Sequence, residues 1–193
     1  MHYMKSAVMV IMLLAVPAAV SAGEIKTEII YPSAITTVAE SAGEIGLWVE
    51  DGRAEKALGR AVDGEYLVPA SDIATSLYAH MVSSLKEGGY RIVPYSPEMA
   101  NGLLIRIHAI NYAATREMIK SKVEVKVALE AKMNVSNTSR TYRASVEEQF
   151  ALSPSGKENG SIIGSALTTA AASVLADIQL AETPQPQSEN AEH

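Results

Sequence analysis

The pattern that most constrains the fold is a strict alternation of apolar and polar residues between positions 120 and 135. Successive side chains of a β-strand point to opposite faces, so a period of two indicates a strand with one buried face and one face in water. Sheets with one wet face are usually antiparallel. The buried face is predicted to hold Val123, Val125, Val127, Leu129, Ala131, Met133 and Val135.

Other strands are predicted on both sides of this one. Residues 141–152 place Tyr142, Ala144, Val146, Phe150 and Leu152 on one face, and the turn residues at 137–139 predict a hairpin with the preceding strand. Residues 103–112 are the expected third strand of a meander, with Leu103, Ile105, Ile107 and Ala109 sharing one face. Shorter strands are predicted at 25–31, 45–49 and 90–93.

Two amphipathic helices complete the set of elements. Ile73, Leu77, Met81 and Leu85 recur every four residues after a predicted N-cap at Ser71, and two glycines at 88–89 end this helix. The second helix is expected to start with Asn159 or Ser161 as its cap. Its apolar line is Ile162, Ala166, Ala170, Val174 and Ile178.

This order of elements predicts a two-layer α+β domain. About five mainly antiparallel strands would carry both helices on the dry face of one sheet. The domain is expected at residues 44–181, after an extended lead-in at 23–43. Residues 182–193 are too polar to bury a core, so a disordered tail is predicted there.

The first 22 residues resemble a secretory signal peptide. Lys5 supplies a positive charge, residues 7–16 are apolar, Pro17 interrupts the run, and small residues precede an expected cleavage between Ala22 and Gly23. The apolar run is half the roughly 20 residues that span a bilayer. We therefore expect an exported protein of 171 residues after cleavage.

Composition excludes several classes of function. The sequence has no cysteine, which rules out disulfide scaffolds, thiol catalysis and cysteine-based zinc sites. Removing Lys5 from the 16 basic residues leaves 15 against 22 acidic residues, so the expected mature chain carries a net charge of −7. A negative protein is a poor partner for nucleic acid and for anionic membrane surfaces.

The residues that could carry chemistry form no catalytic pattern. His80 and His108 have no acidic or histidine neighbour at metal-ligand spacing, so surface histidines and no metal or cofactor are expected. Glu147 and Glu148 are adjacent on a strand and point to opposite faces. The segment Asp51–Arg53 is either a binding loop or a turn in which Gly52 adopts a positive φ. We expect no enzyme.

Several short strings are similar to the YajG-like family of bacterial envelope lipoproteins. They are VEDGR at 49–53, PASDI at 69–73, LKEGGY at 85–90 and RTYRAS at 140–145, within a resemblance that covers about residues 43–181. It implies a location in a Gram-negative envelope and no established enzyme activity. The family's lipid-bearing cysteine is absent, so the mature protein is expected in the periplasm without a lipid anchor.

The leading functional hypothesis is a non-enzymatic periplasmic accessory protein that binds another envelope protein through its exposed sheet face or a sheet edge. The alternating charges also fit a solvated face with weak ion pairs. The alternative function is a carrier that holds a small apolar ligand or lipid between helices and sheet. Unpaired edge strands would also permit a homodimer. The residues predicted for the partner-binding face are Lys122, Glu124, Lys126, Glu130 and Lys132.

Overall fold

The computed structural model describes residues 23–32, 43–135 and 138–182, with side chains up to residue 178 in the last helix. The predicted signal peptide, its Ala22 and the tail beyond residue 182 lie outside these residues. The described chain forms eight strands and two helices. They are β1 (Glu24–Thr27), β2 (Glu44–Asp51), β3 (Gly59–Arg60), β4 (Tyr66–Pro69), α1 (Ile73–Glu87), β5 (Arg91–Pro94), β6 (Gly102–Glu117), β7 (Lys120–Met133), β8 (Thr138–Phe150) and α2 (Gly156–Glu182).

Strand β6 lies at the centre of the sheet. One of its edges pairs with β7 along almost its whole length, and β7 continues the sheet to β8. The other edge pairs with β2 over Gly102–Ile107 and with β3 at Tyr112 and Ala113. From there β2 leads to β5, while β3 leads through β4 to β1.

The fold class is α+β with two helices, but the prediction of a mainly antiparallel sheet is wrong. The pairs β1–β4, β2–β5, β2–β6 and β3–β6 are parallel, and only β3–β4, β6–β7 and β7–β8 are antiparallel. The local pattern of a strand reports which side chains are buried. It does not report the direction of a partner strand that lies far away in the sequence.

The predicted β7–β8 hairpin and its pairing with a third strand are confirmed. The inward side chains Val123, Val125, Val127, Leu129 and Ala131 are buried, as the alternation predicts. The ends of the predicted strands are wrong. Val135 and Leu152 lie beyond the strands and are 67% and 76% exposed.

A β-bulge corrects the predicted face of β6. The register with β7 shifts between Ile107 and Ala109, so one extra residue enters β6 there. A bulge reverses which residues point inward. Leu103, Ile105 and Ile107 point into the core before it, but Ile110 and Tyr112 do so after it, in place of Ala109.

Helix α1 covers β2 and β5 with the predicted residues. Ile73, Leu77, Met81 and Leu85 are all buried. Its N-cap is Asp72 rather than Ser71, because the Asp72 carboxylate accepts a hydrogen bond of 2.7 Å from the Thr75 backbone N–H. The negative charge also suits the positive end of the helix dipole.

Helix α2 begins earlier than predicted. Ser155 and Glu158 form a capping box, in which the Ser155 hydroxyl accepts from the Glu158 N–H and the Glu158 carboxylate accepts from the Ser155 N–H. Asn159, one of the two predicted caps, instead lies inside the helix and accepts a buried 2.6 Å hydrogen bond from the Tyr112 hydroxyl. By length and composition Gly156–Ile178 could cross a membrane, but 61% of this stretch is buried, as in a core helix.

The sheet curls around α2. The helix packs on β7 and β8 on one side, and on β1 and the chain that follows it on the other. There the Ile30 N–H donates to the Gly160 carbonyl at 3.1 Å. Gly160 and Gly164 permit this approach, because a Cβ atom at either position would overlap the carbonyl oxygen of Glu28 or Ile30. The segment after β1 therefore closes the core from the side opposite β8.

Candidate functional site

A large surface cleft lies beside the outer half of β2. Strand β5 pairs with β2 only as far as Leu47 opposite Pro94, and the chain then turns away. No strand of the described chain pairs with residues 48–51 of β2 on that side. The first turns of α1 form the opposite wall, which leaves a cleft of about 720 Å³. We call it the Trp48 groove; it is lined by Trp48, Val49, Tyr78, Ile92, Pro94 and Tyr95, among others.

Aromatic side chains give this groove its chemistry. Trp48, the only tryptophan of the chain, is 53% exposed, and Tyr78 on the opposite wall is 37% exposed. Exposed aromatic residues beside a concave surface are typical anchors of protein interfaces. Because the floor of the groove is an edge with which no described strand pairs, it suits an extended segment that adds as a further strand.

Asn134 holds in place the chain after β5, which forms the rim of the groove at Tyr95. Its side-chain amide donates to the carbonyl oxygens of Ser96 and Met99, both at 3.0 Å, and its carbonyl oxygen accepts from the Tyr95 hydroxyl at 3.2 Å. These bonds tie the β5–β6 connection to the end of β7. The rim is therefore built before any partner arrives, which lowers the entropy cost of binding.

The predicted partner-binding residues do lie together on the outer face of β7, but most of their charges are satisfied within the chain. Lys122 pairs with Glu147 and Lys126 with Glu124, both at 2.9 Å. Lys132 makes no ion pair with a described residue. Paired surface charges fit the solvated-face interpretation better than a docking face. The role of Lys122, Glu124, Lys126, Glu130 and Lys132 in binding a partner stays a prediction.

Glu130 is the centre of a polar cluster on this outer face. It accepts from the Ser139 hydroxyl and lies 2.6 Å from the Nε2 atom of His108, while Arg106 pairs with Glu50 on the neighbouring strand. These hydrogen bonds lower the pKa of Glu130. A serine nucleophile needs a histidine base beside it. Here a carboxylate stands between the two, so the cluster does not match a catalytic triad.

Asp51–Arg53 is neither an exposed binding loop nor a turn with a positive φ at Gly52. The φ of Gly52 is not positive, and its N–H donates to the Ile107 carbonyl at 3.0 Å. The Arg53 side chain is only 3% exposed and donates two hydrogen bonds to Asp51, at 2.9 and 3.0 Å. Lys56 binds the same carboxylate from the solvent side at 3.2 Å. This segment is part of the folded core rather than a site.

Asp51 is expected to make stability fall in acid. Burial alone would raise its pKa, but the hydrogen bonds and charges of Arg53 and Lys56 outweigh burial and lower the pKa to about 2. A lowered folded-state pKa stabilises the protein above the usual value of 3.8, and this stabilisation is lost as pH falls from 3.8 towards 2. Urea unfolding at a series of pH values gives the free energy of unfolding as a function of pH. Between pH 4 and pH 2 this free energy should fall less steeply for Asp51→Asn than for the wild type.

The control for this prediction is Asp63→Asn, since the Asp63 side chain is 60% exposed in its pair with Arg116. It should keep the wild-type acid slope. An Asp51→Asn protein with an unchanged slope between pH 4 and pH 2 would contradict the assignment.

The predicted description of the histidines is half correct. His108 lies on the outer face of β6, as expected. His80 is not a plain surface residue, because its ring stacks on Tyr31 at 4.5 Å and its Nε2 atom lies 3.1 Å from the Thr168 hydroxyl. Burial lowers the pKa of His80, against the opposing charge of Glu87. Among the described residues no three histidine or acidic side chains are grouped to hold a metal ion.

The cavity between α2 and the sheet is small. It measures about 100 Å³ and is lined by Leu103, Met133, Tyr142, Val174 and others. Ligand sites usually measure 300–1,000 Å³. This cavity is therefore too small for a carried ligand, whereas the Trp48 groove, at about 720 Å³, has the volume of a ligand site but is open along the surface.

Sequence reasoning placed Trp48 in a strand but did not identify the groove around it. One signal was available. Ile45, Leu47 and Val49 share the buried face, so Trp48 had to point outward, and a large aromatic residue on a wet face is unusual. The open edge beside Trp48 depends on where β5 ends, which the local pattern does not report.

Comparisons with known proteins agree with the resemblance noted from the sequence. A family model described as "Uncharacterized lipoprotein" matches residues 32–183. No curated protein matches the chain.

Several solved structures resemble the fold at low identity. A crystal structure of an uncharacterized protein is 11% identical with a TM-score of 0.42, covering 81% of this chain and 99% of that one. Lipoprotein GNA1162 from Neisseria meningitidis is 14% identical with a TM-score of 0.34, covering 72% and 98%. Hypothetical protein CT253 from Chlamydia trachomatis is 9% identical with a TM-score of 0.38, covering 80% and 96%.

Proposed function

This chain belongs to the family of uncharacterized lipoproteins that includes the YajG-like proteins, and from that premise we propose that it is a non-enzymatic accessory protein of the Gram-negative periplasm. It acts by binding another envelope protein. The observation that carries the proposal is the Trp48 groove, which combines an open strand edge with exposed aromatic side chains. The predicted signal peptide and the absence of a lipid-bearing cysteine from the sequence support a periplasmic location without an anchor.

The occupant that suits the groove is an extended segment of the partner. Its backbone would pair with β2 over residues 48–51, a length of about 13 Å. Alternate side chains of such a segment point to opposite faces, so one would pack beside Trp48 on the outer face and the next towards Tyr78 of α1. An apolar or aromatic residue is the side chain that this space favours.

Site-specific photo-cross-linking in living cells tests the proposal. A photoreactive phenylalanine derivative in place of Trp48 should give one dominant cross-linked product that contains an envelope protein. The matched control is the same derivative at Ile119, which is 79% exposed in the β6–β7 turn.

With the purified partner, Trp48→Ala should weaken binding about tenfold or more, since buried aromatic anchors dominate interface energies. Ile119→Ala should leave binding unchanged.

The predicted face on β7 gives the contrasting experiment. Glu substitutions at Lys122, Lys126 and Lys132 reverse its positive charge. If the groove is the site, the product from position 48 persists in this variant. If the product disappears while Trp48→Ala still binds, the face on β7 is the site and the groove is not. Equal products from positions 48 and 119 would count against both.

A further inference from the structure

The outer edge of β8, with which no described strand pairs, differs from the other outer edges of the sheet. Strand β8 has 13 residues and, among the described strands, pairs with β7 alone, whereas β1 and β5 have four residues each and β5 ends at Pro94. Native proteins usually keep exposed edges short or interrupt them with proline or a bulge. The register of β8 with β7 runs without a shift from Thr138 to Phe150. Such a long regular edge is a template for another strand.

The charges of β8 are divided between its two halves. The first half carries Arg140 and Arg143, and the second half carries Glu147 and Glu148; the strand has no other charged residue. Two copies of β8 that run antiparallel place each basic half against an acidic half. A parallel arrangement would place like charges together, which is unfavourable. The edge is therefore complementary in charge to a second copy of itself.

Symmetry places the opposite charges on matching faces. A two-fold axis perpendicular to the sheet keeps the outer face of one copy beside the outer face of the other. With the axis near Ala144 and Ser145, Arg143 lies close to Glu147 of the second copy on the outer face. On the inner face, Arg140 lies close to Glu148 of the second copy.

The present partners of these charges do not oppose this arrangement. Arg143 and Glu148 form no ion pair with a described residue. Arg140 pairs with Asp177 at 2.7 Å and Glu147 with Lys122 at 2.9 Å, and the Arg140 and Glu147 side chains are 68% and 48% exposed. Exposed ion pairs contribute little to stability, so replacing these partners with charges of a second copy would cost little free energy.

We infer that β8 is the site at which a second copy of this chain adds, antiparallel across a two-fold axis, to form one continuous sheet. The inference is independent of the proposed function, because the Trp48 groove lies on a different strand edge. Either can fail without the other.

The absence of cysteine makes a sharp test of the mature chain, residues 23–193, straightforward. Ser145→Cys places a thiol near the proposed axis, and Ser139→Cys places one on the same face of the same strand. In the proposed dimer the two copies of position 139 are about 40 Å apart. Mild oxidation should therefore link Ser145→Cys chains into a dimer and leave Ser139→Cys chains unlinked. Equal linking of both variants, or of neither, would overturn the proposal.

Charge exchange gives an independent measurement by sedimentation velocity. The unmodified mature chain should show a monomer–dimer equilibrium. Arg143→Glu should raise its dissociation constant about tenfold, and adding Glu147→Arg to that variant should restore the original value. A chain that stays monomeric at about 1 mM, or a dimer that the first substitution does not weaken, contradicts the inference.

Discussion

Replacing Arg53 with methionine is expected to lower the free energy of unfolding by about 3–5 kcal/mol. Arg53 is almost fully buried, and its guanidinium donates two hydrogen bonds to Asp51. Its Nη1 atom is also buried, with no partner among the described residues. Methionine fills similar space but leaves the Asp51 carboxylate, 13% exposed, without its main partner. Breaking a buried ion pair by removing one member costs this much because the remaining carboxylate keeps only the solvent-exposed Lys56 as a charged partner.

The same carboxylate supplies the control for Arg53. Lys56 also binds Asp51, but the Lys56 side chain is 67% exposed. Lys56→Met should therefore change stability by less than about 1 kcal/mol. Urea unfolding followed by circular dichroism measures both variants. The double variant Asp51→Asn with Arg53→Met should lose less free energy of unfolding than the sum of the two single losses. Each single substitution already removes the same Asp51–Arg53 interaction. Equal losses from Arg53→Met and Lys56→Met would contradict this account.

Replacing Gly164 with alanine is expected to lower the free energy of unfolding by about 2 kcal/mol. In an isolated helix this change would be favourable by about 1 kcal/mol, because alanine is the better helix former. In the folded protein the new Cβ atom would overlap the Ile30 carbonyl oxygen. The segment after β1 would have to move away from α2. Such overpacking costs more than the helix propensity gains.

Gly156 is the matched control, because it lies in the same helix with no atom within 4 Å of an added Cβ. Gly156→Ala should stay within about 0.5 kcal/mol of the wild-type stability. Urea unfolding again compares the two. The same displacement should break the hydrogen bond between Tyr31 and Ser76, because Tyr31 adjoins the segment that must move. Should Gly164→Ala prove as stable as Gly156→Ala, the close packing of α2 on Ile30 is wrong.

The candidate site was less predictable than the fold. The sequence pointed to the charged side of β7, because a regular pattern of lysine and glutamate is visible in a single strand. Most of those charges have partners on β6, on β8 or further along β7 itself, which a single strand does not reveal. The Trp48 groove needs three separate elements, β2, α1 and the end of β5, to meet. Of the residues that line it, only the outward-facing Trp48 could be recognised as unusual from the local sequence pattern.

Local sequence patterns were sufficient to predict an element and its buried face wherever the contacting residues are close in sequence. The alternation through β7 determined the β7–β8 hairpin, and the four-residue spacing of Ile73, Leu77, Met81 and Leu85 determined the buried side of α1. These signals are reliable because burial is the main force that selects side chains along an amphipathic element.

The tertiary structure decided everything that depends on distant partners. It set the parallel pairing of β2 with β5 and β6, the bulge after Ile107, the burial of Arg53 and the contact of Gly164 with Ile30. Each joins chain segments that are far apart in sequence or reverses a local period. The physical reason is that hydrophobic burial is non-directional: a side chain's polarity records that it is covered, but not which strand or helix covers it.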